Sequence, residues 1–319
     1  MDLFLQQLVN GLSLGALYAL IAVGYTVVYG IVQLINFAHG EIFMVGAFGA
    51  YTTWMLMGAP ASLSVGIALG VVLPAMLLGG IVTSVTVALL MERLAYRPLR
   101  SAPRLAPLIS AIGISIALQE AVRLFYGRIP GFPDSRRAIP FPVIEGITGR
   151  TVQFGGLTIQ YSALFTLGAL AVCTVLLWWF VNKTRMGRAM QATSQDADTS
   201  RLMGINVDRA IATAFAVGAA LAAVAGLAHG LRYNNIDPLM GFLSGLKAFT
   251  AAVLGGIGNI NGAVVGGLTL GVVEAMATTF IPGQFGSSAW KDVWAFVLLI
   301  LVLVFRPQGL LGAKVVDRA

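Results

Sequence analysis

The chain is poor in the residues from which most catalytic and metal centres are built. Its 319 residues include one cysteine and two histidines. Cys173 stands alone inside an apolar run, which excludes an intrachain disulfide and a cysteine-based metal site. His39 and His229 are isolated, so no Ser-His-Asp, Cys-His or paired-carboxylate constellation is credible. Nothing supports an enzyme, a metal site or a cofactor. Charge is scarce as well: 10% of the residues are Asp, Glu, Lys or Arg, against about 25% in soluble domains. Hydrophobic residues make up 58%, and the mean hydropathy is +0.86. That balance excludes a water-soluble domain and points to a polytopic membrane protein in contact with lipid. In a soluble protein the net charge of +7 would suggest nucleic acid as partner. Here the basic residues cluster in short loops between apolar runs, which is a topology signal instead. The start, MDLFLQQLVNG, has neither a basic n-region nor a small-residue cleavage site, so the first span is expected to direct insertion itself.

What is present is a series of apolar runs of bilayer-crossing length. They cover Leu8–Val32, Glu41–Met57, a stretch within Ser64–Met91, Leu105–Tyr126, Tyr161–Val181, Ala210–Leu231, a broken run over 246–281 and Val293–Phe305. The second ends at Gly58-Ala59-Pro60. The third is too long for one straight crossing, so Pro74 is expected to kink it or part of it to lie outside the core. Thr151–Phe154 and Leu157–Ile159, around Gly155-Gly156, read as a small hairpin. The expected fold is one all-α polytopic membrane domain over residues 1–319. It has about eight transmembrane helices, with a broken or re-entrant element near 255–262. Basic residues gather at 92–104 (Arg93, Arg97, Arg100, Arg104), at 182–209 (Lys183, Arg185, Arg188, Arg201, Arg209) and at the C-terminus (Arg306, Lys314, Arg318), which places those segments in the cytoplasm. Small residues four apart, such as Gly11/Gly15, Gly66/Gly70 and Gly267/Gly271, together with Gly46, Gly49 and Ala50, let helices approach closely in lipid.

Three polar interruptions carry the functional reading. Asn182–Arg209 is an island of about 28 residues between two apolar spans, longer than a tight hairpin needs. It is either a solvated loop whose charges fix topology or a docking helix for a cytoplasmic partner. Met186, Met190, Thr193, Ala197 and Ser200 recur every three or four residues as a weakly apolar stripe, and Gly187 and Gly204 are expected at its ends. Asn36-Phe37-Ala38-His39-Gly40-Glu41 is either a plain turn between helices or a break inside the bundle beside a translocation path. GGIGNING at 255–262 lacks the Lys-Ser/Thr of a phosphate loop and reads as a hairpin or re-entrant turn, with Asn259 and Asn261 covering the backbone. Among ionisable residues in apolar runs, Glu120 and Arg123 are spaced to pair. Lys247 is expected to snorkel, and Glu274 to make an interhelical contact.

LINFAHGEIFMVGA (34–47), ERLAYRPLR (92–100), LISAIGISIALQ (108–119), TRMGRA (184–189), LMGIN (202–206) and AFTAAVLGGIGNINGAVVGG (248–267) resemble the high-affinity branched-chain amino acid permeases of ABC importers, the LivH type. The motifs run in order over nearly the whole chain. Asn261 departs from the usual proline, and 127–160 carries little of the resemblance. The resemblance implies a permease that pairs with a second homologous permease subunit and two cytoplasmic ATPase subunits, and takes substrate from an extracytoplasmic substrate-binding protein. It implies a place near the translocation pathway for Asn36, His39 and Glu41. It makes 182–209 the ATPase coupling segment, with Arg185, Gly187, Arg188, Met190, Asp196, Arg201, Gly204 and Asp208 as its key residues. Relatives on this scaffold move urea or short amides, so the substrate stays open. A self-contained secondary transporter, with Glu41 and Glu274 as ion-linked carboxylates, is the competing class.

Overall fold

The computed structural model describes residues 2–34, 36–58, 64–100, 102–103, 105–154 and 156–312. Ala59, Pro60, Arg104, Gly155, Lys314 and Arg318, used in the reading above, lie outside the described residues. The chain forms helices α1 (Asp2–Val32), α2 (His39–Leu56), α3 (Val65–Tyr96), α4 (Leu105–Phe125), α5 (Tyr161–Lys183), α6 (Arg185–Gln195), α7 (Ala197–Leu202), α8 (Val207–Tyr233), α9 (Met240–Gly255), α10 (Ile260–Phe280) and α11 (Lys291–Phe305). By length and composition α1, α3, α4, α5, α8 and α10 can each cross a membrane. The shorter α2, α9 and α11 pack among them.

Pro74 does not end the helix. Helix α3 runs unbroken through Pro74, because a π-helical turn over Ala68–Val72 widens the helix just ahead of the proline ring. A second π-helical turn, Glu92–Tyr96, extends α3 into the stretch taken for a basic loop. The hairpin appears as antiparallel strands β2 (Thr151–Phe154) and β3 (Leu157–Gln160). A second short ladder joins β1 (Ile139–Pro140) to β4 (Asn235–Ile236), with Ile139 opposite Ile236.

Helices α1 and α8 are apolar all round and buried through their middles, as expected of the centre of a bundle. Small residues set the spacing, though not always between the helices expected. Gly11 and Gly15 of α1 meet Gly267 and Gly271 of α10, so closely that a Cβ at Gly271 would overlap the backbone of Gly15. Gly46 of α2 faces Ala223 of α8, and Gly49 faces Thr83 of α3. Gly66 and Gly70 look into open space and pack nothing.

The element near 255–262 is a tight turn that breaks the run into α9 and α10. Gly256 and Gly258 take φ of +106° and +93°, and Asn259 caps α10 by accepting from Gly262 N at 3.2 Å. Its Nδ2 donates to Leu311 O at 2.7 Å. Leu310 N and Leu311 N donate to Leu254 O and Gly255 O at 2.8 and 2.9 Å, so the segment after α11 satisfies carbonyls at the end of α9.

Candidate translocation and coupling sites

Between α1 and α2 the chain turns through an exposed Gln33 and a half-buried Leu34 before it is buried again from Asn36. Helix α1 stops at Gln33, a non-glycine residue at φ +53°, a conformation that costs roughly 1–2 kcal/mol and persists only where the surroundings enforce it. Helix α2 then starts with His39 against Gly24 of α1 and Gly218 of α8, both interior positions of their helices. A Cβ at Gly24 would overlap the His39 ring, and Tyr25 meets that ring edge-on with centroids 4.6 Å apart.

Each sequence-selected residue here is buried. Asn36 accepts at Oδ1 from Ala38 N at 3.0 Å and from the Tyr96 hydroxyl at 2.7 Å. Glu41 is 0% exposed, and its Oε1 accepts from Ser115 Oγ at 3.0 Å and Gln119 Nε2 at 2.7 Å. Asn36 Nδ2, His39 Nε2 and Glu41 Oε2 are buried with no hydrogen-bond partner among the described residues. Buried polar atoms are nearly always paired, and three orphans within six residues single this stretch out. Ser115 and Gln119 also line a cavity of about 480 Å³ with Tyr25, Phe37, Ile112, Ile116, Phe242 and Leu246. The sequence reading gave no role to Tyr96, Ser115 or Gln119. The signal for the last two was there: a Ser and a Gln four apart share one face of a largely apolar helix.

The polar island folds as two short helices, α6 and α7, parted at Asp196. Thr184 caps α6, accepting from Gly187 N at 3.0 Å, and Asp196 caps α7, accepting from Asp198 N at 2.9 Å and Thr199 N at 3.0 Å. The Thr199 hydroxyl and amide hold the Asp196 carboxyl below the usual aspartate range. That cap therefore stands above the ordinary aspartate value of about 3.9 and is lost as pH falls through the lowered one. Gly204, at φ +83°, ends α7 as expected. Gly187 does not end a helix. It lies in the first turn of α6, where a Cβ would overlap the carbonyls of Phe180 and Val181.

The apolar stripe faces inward. Gly187, Met190, Thr193 and Ser200 are buried against the bundle, so Met190 seats α6 rather than meeting a partner directly. Arg185, Arg188, Asp196 and Arg201 are exposed, with Arg201 Nη1 2.7 Å from Asp198 Oδ1. The apolar surface left bare is the tip of α7, where Leu202 and Met203 are 87% and 79% exposed.

Asp208, at the start of α8, joins this segment to α3. It pairs with Arg97 and Arg100, and Arg100 pairs in turn with buried Glu92. Tyr96 lies in the same π-helical turn as Glu92 and reaches Asn36. The end of α3 thus touches the polar segment through Arg97 and Arg100 and the start of α2 through Tyr96.

The remaining ionisable groups are structural. Glu120 and Arg123 pair on α4 at 3.1 Å. Lys247 does not snorkel: it is 5% exposed, with Nζ 2.8 Å from Glu274 Oε1, 2.5 Å from Asp292 Oδ1 and 3.2 Å from the Tyr18 hydroxyl. Helix α9 begins at Met240, earlier than the apolar run suggested, and this draws Lys247 two turns into the bundle. Glu274 makes the interhelical contact expected of it.

A family model described as "Branched-chain amino acid transport system / permease component" matches residues 7–303. The chain is 45% identical over 320 residues to the high-affinity branched-chain amino acid transport system permease protein BraD of Pseudomonas aeruginosa, covering 99% of this chain and 98% of that one. It is 43% identical over 320 residues to the corresponding protein LivH of Escherichia coli K12, covering 99% and 97%. It is 27% identical over 310 residues to a probable LivH of Methanocaldococcus jannaschii, covering 93% and 89%. The chain belongs to the branched-chain amino acid transport system permease family, as a multi-pass membrane transport subunit and not an enzyme.

Proposed function

We propose that this chain carries branched-chain amino acids across the cytoplasmic membrane as one permease of an ABC importer. It pairs with a second homologous permease, two cytoplasmic ATPase subunits and an extracytoplasmic substrate-binding protein. The names of its relatives support the substrate class. Residues 182–209 act as the coupling segment: the Leu202–Met203 tip enters an apolar groove of an ATPase, and the exposed Arg185, Arg188 and Arg201 of the same segment supply charged contacts. Gly187 and Met190 seat α6, while Asp196 and Gly204 shape the two ends of α7. Asn36, His39 and Glu41 form the movable part of the pathway. The observation that carries the reading is a pair of contacts at the end of α3: Asp208 reaches Glu92 through Arg100, and Tyr96, in the same π-helical turn as Glu92, reaches Asn36. Of the two carboxylates that a secondary transporter would use as ion-linked groups, Glu274 is already paired with Lys247.

The test is reconstitution of all four kinds of subunit in proteoliposomes. Leucine, isoleucine and valine uptake is expected to require ATP and the binding protein, with urea and acetamide not carried. In the same assay Asp208→Ala should leave assembly intact, because exposed ion pairs stabilise by only about 0–1 kcal/mol. Uptake per ATP hydrolysed should nevertheless fall severalfold. An unchanged ratio would remove Asp208 from the coupling route.

A further inference from the structure

We infer that Glu41 is the acceptor for the α-ammonium group of the transported amino acid, which takes the place of the Gln119 amide on Glu41 Oε1. The inference rests on the amino-acid reading above and adds to it the atom that recognises the substrate.

Three carboxylates are buried among the described residues. Glu92 has Arg100, and Glu274 has Lys247. Glu41 has no cation: Oε1 holds only the neutral donors Ser115 and Gln119, and Oε2 holds none. A buried carboxylate with neutral partners is under-compensated in a low-dielectric interior. The positive end of α2, in whose first turn Glu41 lies, offsets only part of that cost. The missing half of the pair is a cation that comes and goes.

The surroundings say where that cation enters. Oε2 is closed off by the backbone of α9, since a Cβ at Gly241 would overlap it. Oε1 is covered by Gln119, whose side chain also lines the 480 Å³ cavity. The Gln119 Nε2 and Ser115 hydroxyl occupy two of the donor positions that an ammonium would fill with charge-assisted bonds. Rotation of Gln119 opens Oε1 to the cavity. The walls there, Phe37, Ile112, Ile116, Phe242 and Leu246, suit a branched aliphatic side chain. The described lining contains no Lys or Arg, so the recognised group is the ammonium and not the carboxylate.

The experiment uses the assembled importer in proteoliposomes. Glu41→Gln is isosteric and is expected to cut leucine uptake more than tenfold while binding-protein-stimulated ATP hydrolysis continues. Glu41→Asp, which keeps the charge, is expected to recover part of the uptake. Should Glu41→Gln fail to assemble, the wild-type complex without its binding protein is probed by saturation-transfer NMR with isopentylamine and 4-methylpentanoate, each displaced by leucine. Isopentylamine alone should bind. Wild-type uptake by assembled Glu41→Gln, or equal binding of the two probes, would overturn the assignment while leaving the importer reading intact. A wild-type complex that moves no branched-chain amino acid would overturn the reading beneath it, and this assignment with it.

Discussion

Lys247→Met is expected to destabilise the permease by about 3–5 kcal/mol, the cost of stranding a buried charge. Lys247 is the only cation beside Glu274 among the described residues, and without it that carboxylate keeps just the Tyr18 hydroxyl at 3.0 Å. Asp292 suffers less, since about a third of its side chain reaches solvent. The three partners sit on α1, α10 and α11, so the loss loosens four helices at once. Thermal unfolding of the purified complex in detergent measures it, with a Tm roughly 10 °C lower expected. The double variant Lys247→Met with Glu274→Leu should recover most of the loss, because an apolar replacement of a buried pair is often neutral. A Tm within about 2 °C of wild type for the single variant would show that water reaches the pair.

Gly187→Leu should separate ATP hydrolysis from uptake. The new side chain would overlap the carbonyls of Phe180 and Val181, so α6 must lift from the end of α5. Met190 and Thr193 would then leave their buried seats, and the Leu202–Met203 tip would move with them. Uptake per ATP is expected to fall roughly tenfold, within the usual span of coupling energies, while the amount inserted in the membrane stays the same. Gly204→Leu is the internal contrast. No atom lies within 4 Å of a Cβ there, so it meets only the strain of φ +83°, about 1–2 kcal/mol. Equal effects of the two variants on coupling would sink the claim that α6 is held by close packing.

The membrane class, most of the helices and the polar interruption ahead of α2 were legible because each rests on local pattern: length of apolar run, clustered charge, a run of polar residues. The pairings were not legible, because they join residues far apart in the chain. Lys247 looked peripheral until α9 proved to begin at Met240. Tyr96 was hidden in a run of arginines, and only the π-helical turn of α3 aims it at Asn36. The stripe of Met190 and Thr193 has helical spacing whether it faces a partner or the bundle, and periodicity alone cannot choose between them. Gly11 and Gly15 declared close packing, yet only the fold could say that α10 supplies the other half.

The ladder between β1 and β4 ties the 127–160 loop to the stretch that leads into α9. Whatever pulls on that loop also tugs the first turn of α9, where Gly241 lies against Glu41. Only residues 237–239 separate the ladder from the helix whose first turn covers the buried carboxylate, so the loop and Glu41 are joined by one short stretch of chain.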